Sequence, residues 1–231
     1  MTPVVRYELN DAVATITMDD GKVNALSLPM LAELDAALDR AERDGAVVVL
    51  TGREGIFSAG FHLPTLRAGG PDAAALLRAG FELAHRLLSF PTPTVIACPG
   101  HAIAMGVFLL LSADYRLGVA GDFKITANEV AIGLTVPRAA VEICRQRLTP
   151  AAFVRAVLLS EAFDPAAAVS AGFLDRVVSS DSLSSSATGA GVALAKLDMV
   201  AHLASKQSVR RDLLPSLWSA IEADDVEFRR R

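Results

Sequence analysis

Glu129 is the one carboxylate in ANEVAIGLTVP (127–137), an otherwise mostly apolar run closed by a Gly-x-x-x-Pro break. A carboxyl group drawn away from water holds its proton more tightly, so it can both accept and return one near neutral pH. Two further segments offer backbone donors. IFSAGFHL (56–63) lies just beyond an apolar run that ends at Thr51, and it carries Ala59-Gly60. Glycine lets a backbone turn sharply and approach a ligand closely. PGHAIAMGVFLLLSAD (99–114) passes from a Pro-Gly turn through small residues into a helix that starts near Gly106. The first N–H groups of a helix have no partner within it and carry positive partial charge. These parts suit one kind of chemistry. When a proton leaves the carbon beside a thioester, the carbonyl becomes an enolate oxyanion. Two fixed N–H donors stabilise that oxyanion, each worth about 3–4 kcal/mol, while a carboxylate moves the proton. Small loops are common, however, and a glutamate in an apolar run is usually a solvated edge residue or half of an ion pair. The residues alone leave both readings open.

Other reactive groups offer less. Cys98 and Cys144 stand far apart, outside any CxxC or Cys/His cluster, which fits a reducing compartment and gives no metal site. There is no GxSxG, HExxH or P-loop, and Gly189-Ala-Gly191 lacks the strand and third glycine of a dinucleotide fingerprint. His62 sits where a ligand could pass. His101, His85 and His202 read as packing or solvated residues.

The elements that must position these groups alternate strand and helix. Val4–Glu8 and Val13–Met18 read as a hairpin across Asn10-Asp11. Ser27 and Pro29 open an amphipathic helix over 28–43, and AVVVLTG (46–52) is a wholly apolar strand of a sheet covered on both faces. A helix over 72–89 turns Leu76, Leu77, Phe81, Ala84 and Leu88 inward. TVIAC (94–98) is a second buried strand, 106–112 a buried helix and 114–119 another strand, with Asp114 and Arg116 expected as a structural pair. The rest is mainly helical. It includes 138–147 and helices opened by Thr149-Pro150 and Asp164-Pro165. SSDSLSSSATGAG (179–191) reads as a connector or frayed helix start, and the apolar tail beyond Val192 is expected to pack on a neighbouring subunit. The alternation gives an α/β fold with crossover connections.

Composition narrows the partners. The chain has 231 residues, 52% hydrophobic, enough for one large domain with a small appendage. A net charge of −4 argues against nucleic acid but leaves room for a small anionic ligand. The opening residues lack the basic start and apolar block of a signal peptide. The longest apolar stretch, Ala102–Leu111, is shorter than the roughly 20 residues of a membrane span. A cytoplasmic location is expected, with no membrane partner.

In order and spacing, the segments GKVNALS (21–27), FSAGFHL, PGHAIAMG, SADYR (112–116), ANEVAIGL (127–134) and FDPAAAVSAGFLDRVV (163–178) resemble the crotonase (enoyl-CoA hydratase/isomerase) superfamily. The resemblance runs from the hairpin to about Val178. It implies a spiral of ββα repeats over 1–178 with a helical C-terminal segment over 179–231 serving oligomerisation. It also implies trimers or pairs of trimers, and an acyl-coenzyme A thioester as substrate with no separate cofactor. The family's two oxyanion donors fall on the backbone N–H groups of Phe61 and of Met105, with Gly106 as the alternative register. Ala59, Gly60, His62, Leu63, Gly106 and Phe108 would line the thioester site, and Lys22 would lie toward the adenine and phosphates of coenzyme A. The first of the two hydratase glutamates falls on Phe108 and is missing, whereas the second falls on Glu129. A double-bond shift needs one base and hydration uses two carboxylates. The sequence therefore resembles the single-glutamate isomerases more than a hydratase, with hydration or acyl-CoA binding without turnover as alternatives.

Overall fold

The expected hairpin forms from β1 (Val5–Asn10) and β2 (Val13–Met18), which pair antiparallel with Asn10 opposite Val13. The structure is a computed structural model that describes residues 3–229. Ser27 caps α1 (Leu28–Arg43) through a bond from the Met30 amide to its hydroxyl, with Pro29 in the first turn. The three apolar runs become β3 (Val47–Thr51), β5 (Thr94–Cys98) and β7 (Tyr115–Val119), joined at the far edge by β9 (Arg176–Val178). Together they form one sheet in the order β1-β2-β3-β5-β7-β9, parallel beyond the hairpin.

Each interior strand is followed at once by a second, shorter one: β4 (Gly55–Ser58), β6 (Gly100–Ile103) and β8 (Ile125–Thr126). These make a separate three-stranded parallel sheet. Helices then return the chain, namely α2 (Leu63–Ala68) with α3 (Gly70–Ser89), α4 (Met105–Leu111), and α5 (Arg138–Arg147) with α6 (Pro150–Leu159) and α7 (Pro165–Ala171). This is the spiral of ββα turns, in an α/β fold. The second strands correct the reading of 55–58 and 100–103 as loop. At two to four residues they carry too little alternation to be seen in sequence, and they exist because neighbouring turns pair with one another.

The large sheet is buried on both faces, as its apolar strands require. Ile16, Val48, Leu50 and Ile96 face the main core of α1, α3, α4 and α5. Val13, Val49, Val95 and Leu117 face the opposite side, covered by α8 (Ser180–Leu194). That helix is a second correction, because it occupies the segment read as a connector. Leu183, Ala187 and Gly191 recur at helical spacing on its buried face, and small side chains let it lie close on the sheet.

The chain ends in α9 (Met199–Val209) and α10 (Leu213–Phe228). α10 folds back on α3 and α5 of its own chain, with Leu217 and Ile221 in the core. Asp114 and Arg116 do not pair. Arg116 bonds Asp175, at 2.7 Å, while Asp114 binds Lys206 (2.7 Å) and Arg210 (2.8 Å). Each partner arrives from an element far along the chain, so proximity in sequence did not reveal it. Among the described residues, no helix is long and apolar enough to cross a membrane.

Candidate functional site

Glu129 follows β8 at the entry to a 3-10 turn, Val130–Ile132, and its side chain lines a cavity of about 140 Å³. Although exposed residues follow it directly at 130–135, it is only 7% exposed, and its Oε2 is buried without a hydrogen-bond partner. Burial pushes its carboxyl up to about 7, against a weaker opposing pull from its own backbone amide. Cys144 of α5 lies within electrostatic reach. Its thiol is pushed far up, chiefly by burial and then by Glu129, so it stays neutral. Most of the other walls are apolar, Phe61, Leu77, Phe81, Phe108, Leu134 and Pro137 among them, with Asn128 and Thr135 as polar members.

Two backbone amides next to the cavity's lining residues lack hydrogen-bond partners among the described residues. The Leu26 amide donates to Gly60 O and the His62 amide to Leu26 O, so the chain from Gly60 to His62 runs as a strand beside Leu26. Successive amides of an extended chain point in opposite directions. The Phe61 N–H therefore turns away from Leu26, and among the described residues it has no partner. Across from it stands the start of α4. The Ala104 amide is taken by Thr126 O, and the free amides begin at Met105. Ala104 itself is held at φ 51°, a conformation that costs a residue with a side chain roughly 1–3 kcal/mol.

The two loops touch at Gly60, whose φ is +88°. A Cβ there would stand 2.8 Å from Ala104 Cβ and 3.2 Å from the Met105 nitrogen. Only glycine permits that approach, and it brings the Met105 amide beside the Gly60–Phe61 peptide. Gly106 serves a different contact. A Cβ on it would meet Ser58 O at 2.6 Å, so its lack of a side chain seats α4 on β4.

The structure thus brings Ala59, Phe61, Leu63, Phe108 and Glu129 around one cavity, with Ala104 also in its lining; Gly60, Met105 and Gly106 lie within two residues of lining positions but outside the lining itself. Phe108 is 1% exposed and stacks on Phe81 with ring centroids 6.1 Å apart. His62 starts α2 and bonds Thr65 Oγ1 at 2.9 Å, outside the cavity lining. Lys22 lies on an exposed turn where its carbonyl accepts from Arg53, also away from the cavity. Sequence reasoning did not single out Asn128, whose Oδ1 is likewise buried without a partner, or Phe228 at the end of α10. The neighbour of a buried glutamate was a readable signal for the first. Nothing in the tail pointed to the second.

Comparisons with known proteins agree with this architecture. The chain matches the enoyl-CoA hydratase/isomerase family over residues 8–230. It is 33% identical over 174 residues to a probable enoyl-CoA hydratase of Mycobacterium avium, a match spanning 73% of this chain and 66% of that protein. It is 28% identical to human mitochondrial enoyl-CoA delta isomerase 1, over 97% of this chain and 76% of that one. Among solved structures, an enoyl-CoA hydratase/isomerase family protein of Pseudomonas syringae superposes with a TM-score of 0.96 at 48% identity, covering 97% of this chain and 98% of that one. An enoyl-CoA isomerase of Mycobacterium tuberculosis, described in a second structure as a probable enoyl-CoA hydratase, gives 0.95 at 45% identity, covering 99% of this chain and all of that one. From the hairpin to α10, the chain belongs to the enoyl-CoA hydratase/isomerase family.

Proposed function

We propose that this protein is an acyl-coenzyme A-processing enzyme of fatty acid metabolism that shifts the double bond of an enoyl thioester, with Glu129 as its only base. The observation that carries this is one buried, unpaired carboxyl group in a largely apolar cavity whose lining also includes Phe61 and Ala104. The thioester oxygen sits between the Phe61 and Met105 N–H groups. Removal of a proton from the α-carbon gives an enolate, and the two donors stabilise its negative oxygen. The proton moves to Glu129 and returns to another carbon of the same conjugated system, so no water is consumed. With a carboxyl poised near 7, neither direction of transfer is strongly uphill at neutral pH.

Phe108 favours the double-bond shift over hydration. Hydration uses two carboxylates to position and activate one water. Here the position of the first glutamate is a phenyl ring packed on Phe81, which disfavours a polar water site. Lys22 is assigned to the adenine and phosphate end of coenzyme A, and His62 to the rim of the thioester site. A trimer or pair of trimers in the cytoplasm completes the reading. It is supported by apolar side chains left on the surface of α9, such as Val200 and Val209.

The test is solvent-deuterium incorporation into a 3-enoyl-CoA. The wild-type protein is expected to label the α- or γ-carbon, while Glu129→Gln loses labelling by at least about 10²-fold, the usual worth of a positioned base, and still binds coenzyme A thioesters. Unchanged labelling in that variant removes Glu129 from the mechanism. Binding without labelling by the wild type marks an acyl-CoA binder, and loss of the conjugated absorbance of a 2-enoyl-CoA marks a hydratase.

A further inference from the structure

α10 contributes Phe228 to the wall of the cavity beside Glu129, together with Thr135 and Pro137. The same three residues line a second cavity of about 300 Å³, whose remaining walls are Val136, Arg138, Asp224 and Glu227. They therefore form a partition between an apolar chamber at the carboxylate and a polar-edged one behind it. Phe228 supplies most of its bulk. Leu77, Phe81 and Phe108 lie within the main core and cannot yield, whereas Phe228, at the helix end between the two chambers, is half-buried. α10 does not depend on Phe228 for its seat. Leu217 and Ile221 enter the core, and Asp224 accepts from the Arg138 and Ala139 amides.

We propose that Phe228 sets the length of acyl chain the site accepts at about six carbons, the capacity of an apolar protein cavity of roughly 150 Å³. The chamber here measures about 140 Å³. A longer chain meets the Phe228 ring, and overfilling a packed apolar space is unfavourable. Shortening that side chain joins the two cavities and lengthens the accepted chain. The inference rests on the acyl-thioester reading above, but not on the reaction.

Calorimetric titration with saturated acyl-CoA thioesters, from butyryl to dodecanoyl, separates the two, because these ligands bind without reacting. For the wild type, affinity is expected to rise about fourfold per added methylene up to about six carbons and then level or fall. In Phe228→Ala the rise continues through octanoyl and decanoyl, which bind at least about tenfold more tightly than to the wild type. Phe228→Leu, which keeps an apolar anchor at the helix end, gives an intermediate limit and decides the matter if the alanine variant unfolds. An unbroken rise to dodecanoyl in the wild type, or profiles that coincide in wild type and variants, overturns the inference and leaves the thioester reading standing. Failure to bind any chain length removes the thioester reading and this inference with it.

Discussion

Glu129 carries a cost that can be measured apart from any reaction. Its carboxyl titrates at about 7 in the fold against an ordinary value of 4.5, so the native state binds its proton more tightly than the unfolded chain does. The stability linked to that proton is fully present below about pH 4.5 and is lost as pH rises through about 7. Glu129→Gln is therefore expected to melt at a higher temperature than the wild type above about pH 8. The gain is up to about 3 kcal/mol and fades toward pH 4; equal melting temperatures at both ends would show a normally titrating carboxyl group. The same titration governs activity. Deprotonated Glu129 is the base, so labelling of a 3-enoyl-CoA should climb with pH and level off above about 7. Cys144 is neutral throughout that window, and the charged groups nearest the cavity edge, Arg138 with Asp224 and Glu227, are paired with one another.

At the scale of elements, the site depends on how closely the β4–α2 loop and the start of α4 approach. Gly60→Ala adds a methyl 2.8 Å from Ala104 Cβ at a residue whose φ is +88°, and neither side can give without moving a donor. It is expected to destabilise by about 1–3 kcal/mol. It should also lower kcat by about 10²-fold, the usual penalty for a misplacement of about 1 Å. The drop should persist at temperatures where the variant is fully folded, and full activity there would place the oxyanion elsewhere. Long, strongly periodic elements were legible in sequence. The helix over 28–43 and the strand over 94–98 have the limits their apolar spacing and caps indicate. β4, β6 and β8 were not, because their stability comes from pairing across turns of the spiral. α8 was not, because serine and glycine mask a helix that the sheet beneath it stabilises.

For the whole molecule, the C-terminal helices close the structure through buried charge. Burial alone would raise the Asp114 carboxyl, but Lys206 and Arg210 outweigh it and hold the group below the usual carboxylate range. Lys206 also donates to the carbonyls of Phe90 and Thr92, and Arg210 to that of Leu88, so α9 is fastened to the strand β5 end of the core. Removing one partner of a buried pair strands the other. Lys206→Met is expected to cost about 3 kcal/mol in denaturant unfolding. That contribution should shrink in the wild type as pH falls through the Asp114 titration, since a lowered carboxyl pKa gives stability that is lost toward acid. A loss under about 0.5 kcal/mol, the level of an exposed pair, would mean that the clasp is solvated.

The spacing of apolar residues and the helix caps were enough to indicate an α/β fold, and the resemblance carried by six short segments implied its spiral, its family and the carboxylate to watch, because these are local properties of the chain. Which way an amide points is not local. The Phe61 N–H turns away from Leu26 because Leu26 pairs with its loop, and the start of α4 comes close to that loop because Gly60 has no side chain. Asp114 took its partners from α9 rather than from Arg116, two residues away. Phe228 reached the cavity from the far end of the chain because α10 packs on α3 and α5. Contacts between residues a hundred or more positions apart are set by packing of whole elements, which a linear pattern does not encode at any single position.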